Sequence, residues 1–462
     1  MGRSPGDPVI WPVTDSRNLN GFLVELRLSA ATAVALCLGV VVLAWEKGGF
    51  FEPANAVALA AFLVVVAAVI GLFRLRLRTE EAFLLALDIW WLVTAELNHD
   101  ASSFLPLGAS FAALLCGSLG VRALEARWRA VVRGWVVVVG SLTAASGLFA
   151  CAMRWYPLAM RGQNLWRLSG TLTYSNAAGL LLGMALVLCL GNEDFGHLSA
   201  VPVMLCTAGL VATQSRGAML ATAVAALLLL RHQIRTEVVP LLVGALAGIV
   251  TVASSSGPAP AMGALVATCA ALGATCLISY CRTKRGDGAA EMASTTPRCW
   301  PVALRILAAL SIVLAAYLGR NEIVKRVDFG SILARLSAWR LAIDQWRTSP
   351  FLGVGPDKVL VPRAGGVVTY FVHNEYLQVL AGAGVIGALL LLSAVVLVGR
   401  RLWRQRTTSS GSVAAVVVFA IAGLFDFVWH VPVLALCAGI ALGATAPDSG
   451  PSGGGDLFSA RR

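Results

Sequence analysis

Charge is scarce in this chain. Asp, Glu, Lys and Arg make up 13% of 462 residues, against roughly 25% in soluble domains, so a water-facing surface of ordinary polarity is excluded. Lysine is rarer still, four residues against thirty-two arginines, a bias that points to a GC-rich coding genome and a bacterial source. The ten cysteines lie scattered, with no CxxC pair and no regular spacing. That pattern implies neither a disulfide framework nor a metal site and leaves them as small apolar residues. No Gly-Lys-Ser/Thr follows the one Gly353-Val354-Gly355 turn, so it is not a phosphate loop. Basic residues are nowhere interleaved with aromatics as in a nucleic-acid binder. The first 25 residues are polar and contain proline, unlike a cleavable signal peptide, and the first apolar run is expected to be a retained span.

Apolar residues fill the space that charge leaves. They account for 58% of the sequence and raise the mean hydropathy to +0.79. A polytopic integral membrane protein is expected, an all-α helical bundle. Apolar runs of about 17–25 residues suggest spans near 28–45, 54–73, 82–95, 104–121, 131–152, 175–190, 199–214, 217–230, 237–254, 262–280, 301–318, 377–398, 412–429 and 431–446. The runs 82–95 and 217–230 are short enough to be tilted or re-entrant, giving about 12–14 crossings. Residues 1–22 and the Gly/Ser/Pro-rich 447–462 read as disordered ends, 282–300 as a basic linker, and 23–446 as one integral domain.

Arginine placement orients this bundle. With the N-terminus inside, the clusters at 74–78, 122–133, 282–285 and 400–406 all fall on the cytoplasmic side, as the positive-inside rule asks. Two outer segments break the rule: 153–174 holds Arg154, Arg161 and Arg167, and the large loop 319–372 holds eight basic residues. Basic residues kept outside against the orientation signal suggest an anionic ligand there.

Within that loop Ile332, Leu336, Trp339, Ile343 and Trp346 recur at helical spacing, predicting an amphipathic helix from after Ser331 to before Pro350. Arg335 falls about 60° from the centre of the apolar face at 100° per residue, within reach of a membrane-side cavity. Arg340 and Arg347 lie on the opposite edge and read equally as side chains snorkelling among headgroups. Arg216, next to Gly217 at the entrance of a helix, combines a fixed charge with helix N-terminal NH groups, which suits phosphate. A tight turn with a snorkelling Arg is the bland alternative. Arg167 and Asn176 bracket a third polar interruption, where Ser175 can cap the following helix.

The run His373-Asn374-Glu375-Tyr376 places an imidazole and three polar side chains where the loop meets a span. His373 is the natural general base, because imidazole exchanges protons near neutral pH; a lone His at a membrane interface that only makes hydrogen bonds is the bland alternative. His99 and His430 lie near the same face, and Asp88 and Asp426 are carboxylates in or near spans, either structural partners of arginines or a proton relay.

Together these residues resemble the O-antigen ligase and O-antigen polymerase superfamily. The order Arg167…Gly170…Ser175-Asn176, Ser215-Arg216-Gly217, Arg335-x3-Trp339…Pro350-x2-Gly353-Val354-Gly355 and His373-Asn374-Glu375-Tyr376-Leu377-Gln378…Gly384-Val385-Ile386-Gly387 carries the resemblance, with Asp426-Phe427…Pro432 similar to the family's closing segment. The resemblance implies an inverting, metal-independent glycosyltransferase of the cytoplasmic membrane, active on its extracytoplasmic face and without a cofactor. Its donor would be an undecaprenyl-diphosphate-linked glycan, its acceptor a glycan, lipid or cell-wall polymer. Arg216 and Arg335 would hold the diphosphate, His373 would deprotonate the acceptor hydroxyl, and Arg167, Asn176, Asn374, Glu375, Tyr376 and Arg340 would support them. The absence of an Asp-x-Asp metal motif agrees. Two features depart from the family: Gly382 or Ala383 replaces a common acidic residue, and the span count exceeds the usual. A polytopic transporter of a small solute or anion is the alternative from another class.

Overall fold

In the computed structural model, residues 16–445 are described except 163–164, 192–198, 257–258, 288–328, 357, 359–360, 363–367 and 370. The expected span at 301–318, both disordered ends for the most part, and much of the 282–300 linker and the 319–372 loop lie outside the described residues. What remains is a helical membrane bundle: α1 (Ser16–Trp45), α2 (Ala54–Phe73), α3 (Thr79–Leu97), α4 (Leu105–Arg122), α5 (Ala126–Met153), α6 (Ser175–Leu190), α7 (Ala200–Thr213), α8 (Arg216–Leu229), α9 (Arg231–Thr236), α10 (Val238–Ala253), α11 (Met262–Asp287), α12 (Phe329–Thr348), α13 (Glu375–Gln405), α14 (Ser410–Ala422) and α15 (Pro432–Ala444). Five stretches are long and apolar enough to cross a membrane: Leu26–Trp45, α2, Ser102–Arg122, α5 and α13. Shorter apolar helices fill the space among them.

Composition explains which helices are central. α6 has no polar face after its first turn, and every residue from Ala177 to Leu190 is buried, as a helix that is apolar all round must be. α4 and α15 approach backbone to backbone: a Cβ on Gly443 would stand 2.6 Å from the Ser118 carbonyl oxygen, and one on Gly117 would stand 2.7 Å from that of Leu436. Small residues allow this contact, the usual way helices pack in lipid.

Three departures from the expected spans bear on function. The run 82–95 belongs to one continuous helix, Thr79–Leu97. The span expected at 412–429 stops at Ala422, and a non-helical turn from Gly423 carries Asp426 before the 3-10 turn Val428–His430. The polar interruption around Arg167 is a small antiparallel hairpin, β1 (Ala159–Gly162) with β2 (Leu165–Leu168), which pairs Met160 with Arg167.

α13 is broken near its start. Gly384 adopts φ 67 and ψ −167, a backbone conformation that side-chain-bearing residues avoid. The loop after α12 fills the gap: Val354 N donates to Ala381 O (2.9 Å), Gly355 N to Gly382 O (3.0 Å) and Val385 N to Pro350 O (2.8 Å). Trp90 Nε1 donates to Ala383 O at 2.9 Å. Each bond satisfies a peptide group that would be costly to leave bare at membrane depth. The Gly353-Val354-Gly355 turn therefore works as a backbone clasp between α12 and α13. Any Cβ on Gly353 or Gly384 would strike the opposing main chain.

Candidate active site

The clasp brings α12 onto the start of α13, and the packed face differs from the expected one. Ala338 and Ala342 are the buried residues of α12, whereas Leu336 of the predicted stripe is 41% exposed. Ala342 packs with Val372 and Ala381, flanked by Trp339, Trp346, Val354 and Leu377. Small alanines let the helix sit close. Arg335 stands three and seven residues before Ala338 and Ala342, so it shares the inward face rather than its margin. Arg340 is exposed, and Arg347 pairs with its own neighbour Asp344 at 2.9 Å on the surface.

His373 occupies the residue pair before α13 with a left-handed backbone, φ 56, unusual for a residue with a Cβ. Its Nδ1 lies 2.8 Å from Asp426 Oδ1, with the two side chains 18% and 7% exposed. Asp426 is further held by Tyr174, whose hydroxyl donates to Oδ1 at 3.0 Å and Oδ2 at 2.8 Å, by the Phe427 N–H at 2.9 Å and by Asn176 Nδ2. Asn176 Oδ1 in turn accepts from Arg167 Nη2 at 3.0 Å, while Arg167 Nε donates to Thr213 O at 3.0 Å. A continuous polar chain thus runs from Arg167 through Asn176 and Asp426 to His373. Phe427 stacks on Phe371 (4.3 Å) and Tyr174 (5.1 Å) and meets the His373 ring edge-on at 5.2 Å, walling this chain with aromatic rings.

The charge states follow from these contacts. Burial pushes the Asp426 carboxyl up, but its bond and charge interaction with His373, and the Phe427 N–H and Tyr174 donors, more than offset this and hold it below the usual carboxylate range. Burial first, and Asp426 second, raise Tyr174 well above the ordinary phenol value, so its hydroxyl stays a donor. Arg167 is lowered chiefly by burial; Tyr174 and Asp426 oppose the shift, while Arg216 and Arg335 add to it. Arginine remains a cation across such shifts. That last pair of effects brings three arginines, from β2, α8 and α12, within electrostatic reach of one another.

Of the residues singled out in the sequence, His373, Arg167, Asn176, Arg216 and Arg335 therefore fall in one neighbourhood. Asn374 caps α13, its Oδ1 accepting from Leu377 N at 3.1 Å. Tyr376 donates to Ala420 O at 3.1 Å, joining α13 to α14. Glu375 points away from the His373 ring to Trp429 and His430. Ser215 caps α8, accepting from Ala218 N. Sequence reasoning left Tyr174 out of the site and gave Asp426 no defined role there. Tyr174 lies inside the polar run 167–176, and a carboxylate in an apolar stretch was the signal for Asp426. Among the described residues no cluster of His, Cys, Asp and Glu could hold a metal ion.

Residues 261–392 match the family model described as O-antigen ligase. The match covers less than a third of the chain and supports the O-antigen ligase and polymerase superfamily. The matched segment runs from α11 into α13 and includes Arg335, the Gly353-Val354-Gly355 clasp and His373. That match supports glycan transfer of the ligase or polymerase type, from a lipid-linked glycan to a glycan acceptor, by a multi-pass membrane protein. No curated protein matches the chain.

Proposed function

We propose that the protein transfers a glycan from undecaprenyl diphosphate to an acceptor hydroxyl at the outer face of the cytoplasmic membrane, with inversion and without a metal ion. The observation that carries this reading is the His373–Asp426 pair, placed at the end of the bundle where Arg167, Arg216 and Arg335 gather. Asp426, ionised and fixed by the Tyr174, Asn176 and Phe427 donors, holds the imidazole by Nδ1 and directs Nε2 as the basic atom. The acceptor oxygen bonds to the anomeric carbon as its proton passes to Nε2. The bond from that carbon to the diphosphate oxygen breaks, and the electron pair leaves with the diphosphate. The imidazolium then returns its proton to water or the departing phosphate. Attack from the face opposite the leaving group inverts the anomeric centre.

Arg216 and Arg335 bind the diphosphate and stabilise the charge that grows on it, which lowers the barrier because that charge is largest in the transition state. Guanidinium groups present paired donors in a plane that matches phosphate oxygens, and their permanent charge serves where other transferases use a divalent cation. A transporter would be expected to concentrate polar groups at mid-membrane; here the network sits at helix ends and in turns.

The test is turnover by purified protein supplied with an undecaprenyl-diphosphate glycan and an acceptor. His373→Ala should lower kcat by about 10²–10⁴, the usual worth of general-base help, with the protein inserted at its normal level. Full activity of His373→Ala would remove the base from the mechanism. Accumulation of lipid-linked sugar in a deletion strain separates the enzyme from a transporter.

A further inference from the structure

A second acid–histidine pair lies directly behind the first. Glu375 and His430 are buried, 0% and 1% exposed by side chain, with His430 Nδ1 3.1 Å from Oε2 and 3.2 Å from Oε1. The two pairs are crossed. The segment before and into α13 supplies His373 and Glu375, and the turn between α14 and α15 supplies Asp426 and His430. Each strand of chain thus gives one acid and one imidazole to the other.

Glu375 holds both ends of the turn that carries Asp426. Its backbone N–H donates to Gly423 O at 2.7 Å, and its carboxylate accepts from the Trp429 N–H at 2.5 Å and from His430. Between those anchors the chain from Gly423 to Phe427 forms no regular helix. On the other side, His373 keeps its left-handed backbone between Glu375 and a bond from Val372 N to Gln378 Oε1 at 3.0 Å. Glu375, two residues after His373 in the chain, is therefore the residue that ties the Asp426 turn to the start of α13. A buried polar pair contributes little net stability compared with an apolar pair of similar shape, so stability alone is a weak reason for a polar clasp here.

We propose that Glu375, with His430, is a positioning pair that sets Asp426 against His373, so that the imidazole presents Nε2 to the acceptor at the productive distance and angle. Neither residue touches the substrate. This rests on the reading of His373 as the base. It separates the role of Glu375 from that of Asn374 and Tyr376, whose bonds cap or brace α13 without reaching the Asp426 turn.

The experiment compares Glu375→Ala, Glu375→Gln, His430→Asn and His430→Ala in the full-length protein, purified in lipid and assayed with undecaprenyl-diphosphate glycan. Glu375→Ala should lower kcat about 10²-fold, the effect of a shift near 1 Å in a catalytic group, while donor KM moves by no more than about twofold. Glu375→Gln should stay within about threefold of the unaltered enzyme, because its amide oxygen still accepts from the Trp429 N–H. An unchanged kcat in folded Glu375→Ala, or a Gln variant as damaged as the Ala variant, overturns the proposal. Should Glu375→Ala fail to accumulate, His430 decides: Asn keeps a donor toward the carboxylate and should outperform Ala, and equal kcat for the two overturns it. His373→Ala run in parallel tells the two readings apart. If His373→Ala is active, the base reading fails; if it is inactive while Glu375→Ala turns over normally, only the clasp fails.

Discussion

Arginine behaves differently at the two ends of the bundle. At the end remote from His373, Arg122 pairs with Glu81, and Arg401 pairs with Glu80 at 3.0 Å. Both carboxylates are buried and further tied: Glu81 accepts from Ser118 Oγ at 2.9 Å and from the Arg78 N–H at 2.9 Å. Arg401 also donates to Leu442 O at 2.8 Å, stitching α13 to the end of α15. Arg122 and Arg401 each meet a carboxylate there, with Arg78 also in electrostatic range, and the result is a lock between helices. At the His373 end, Arg167 is held by a neutral amide and a carbonyl, and its neighbours in charge include two further arginines. With Asp426 as the carboxylate beside them, these three arginines leave a local positive excess that suits an anionic ligand. The same residue type locks helices where it meets Glu and, in the proposed function, is receptive at the His373 end.

That contrast predicts separate consequences for the two ends. Asp426→Asn should be the most damaging change after His373→Ala, with kcat down on the order of 10²–10⁴ and little loss of inserted protein, since an amide can hold Nδ1 with the wrong proton. Arg216→Lys and Arg335→Lys keep the charge and lose the fork, and each should cost about 10²–10³ in rate. If both turn over the lipid donor as fast as the unaltered enzyme, the receptive end is no more than a topological anchor. Glu81→Ala should do the reverse: stability falls by about 3–5 kcal/mol as Arg122 is left without its partner, read as a lower Tm in lipid, with kcat per folded molecule unchanged. Arg340→Lys, on the exposed edge of α12, should be silent in both assays.

Acid provides a finer probe of the same network. Because Asp426 is held below its ordinary carboxylate value, its interactions favour the folded state above the unfolded value of about 3.9 and are lost as pH falls through the lower folded value. Thermal stability of the unaltered protein should drop over that acidic window, and Asp426→Asn should flatten this part of the profile. An identical acid profile for the two would mean that Asp426 is not the charged partner of His373. The sidedness of the receptive end can be read separately. Ser337, exposed on α12, should after Ser337→Cys react with a membrane-impermeant thiol reagent in intact cells, judged against exposed Cys269 and Cys276. Labelling only after permeabilisation would invert the proposed orientation.

Much of the fold was legible because lipid imposes simple rules. Apolar runs became helices, with 54–73 and 175–190 matching their observed bounds, since a chain in hydrocarbon must satisfy its own peptide groups. Composition alone also set the membrane class, and residue order carried the family resemblance. Spacing placed α12 within three residues of its observed start and one of its observed end. It misjudged the inward face, because hydrophobicity ranks leucine and isoleucine above alanine, whereas close helix contact near α13 selects Ala338 and Ala342.

Tertiary structure alone decided which polar residues meet. Asp426 reaches His373 across 53 positions of sequence and Tyr174 across 252, and no periodicity encodes such a contact. The break at Gly384 and the loop that fills it likewise depend on peptide groups from distant segments, each satisfying the other. Glu375 sits two residues from the base and looks like its natural helper, yet helix geometry turns it toward His430 while Asp426 arrives from another turn. Local patterns state how each segment buries its backbone; the partners of a side chain depend on where the other segments come to rest.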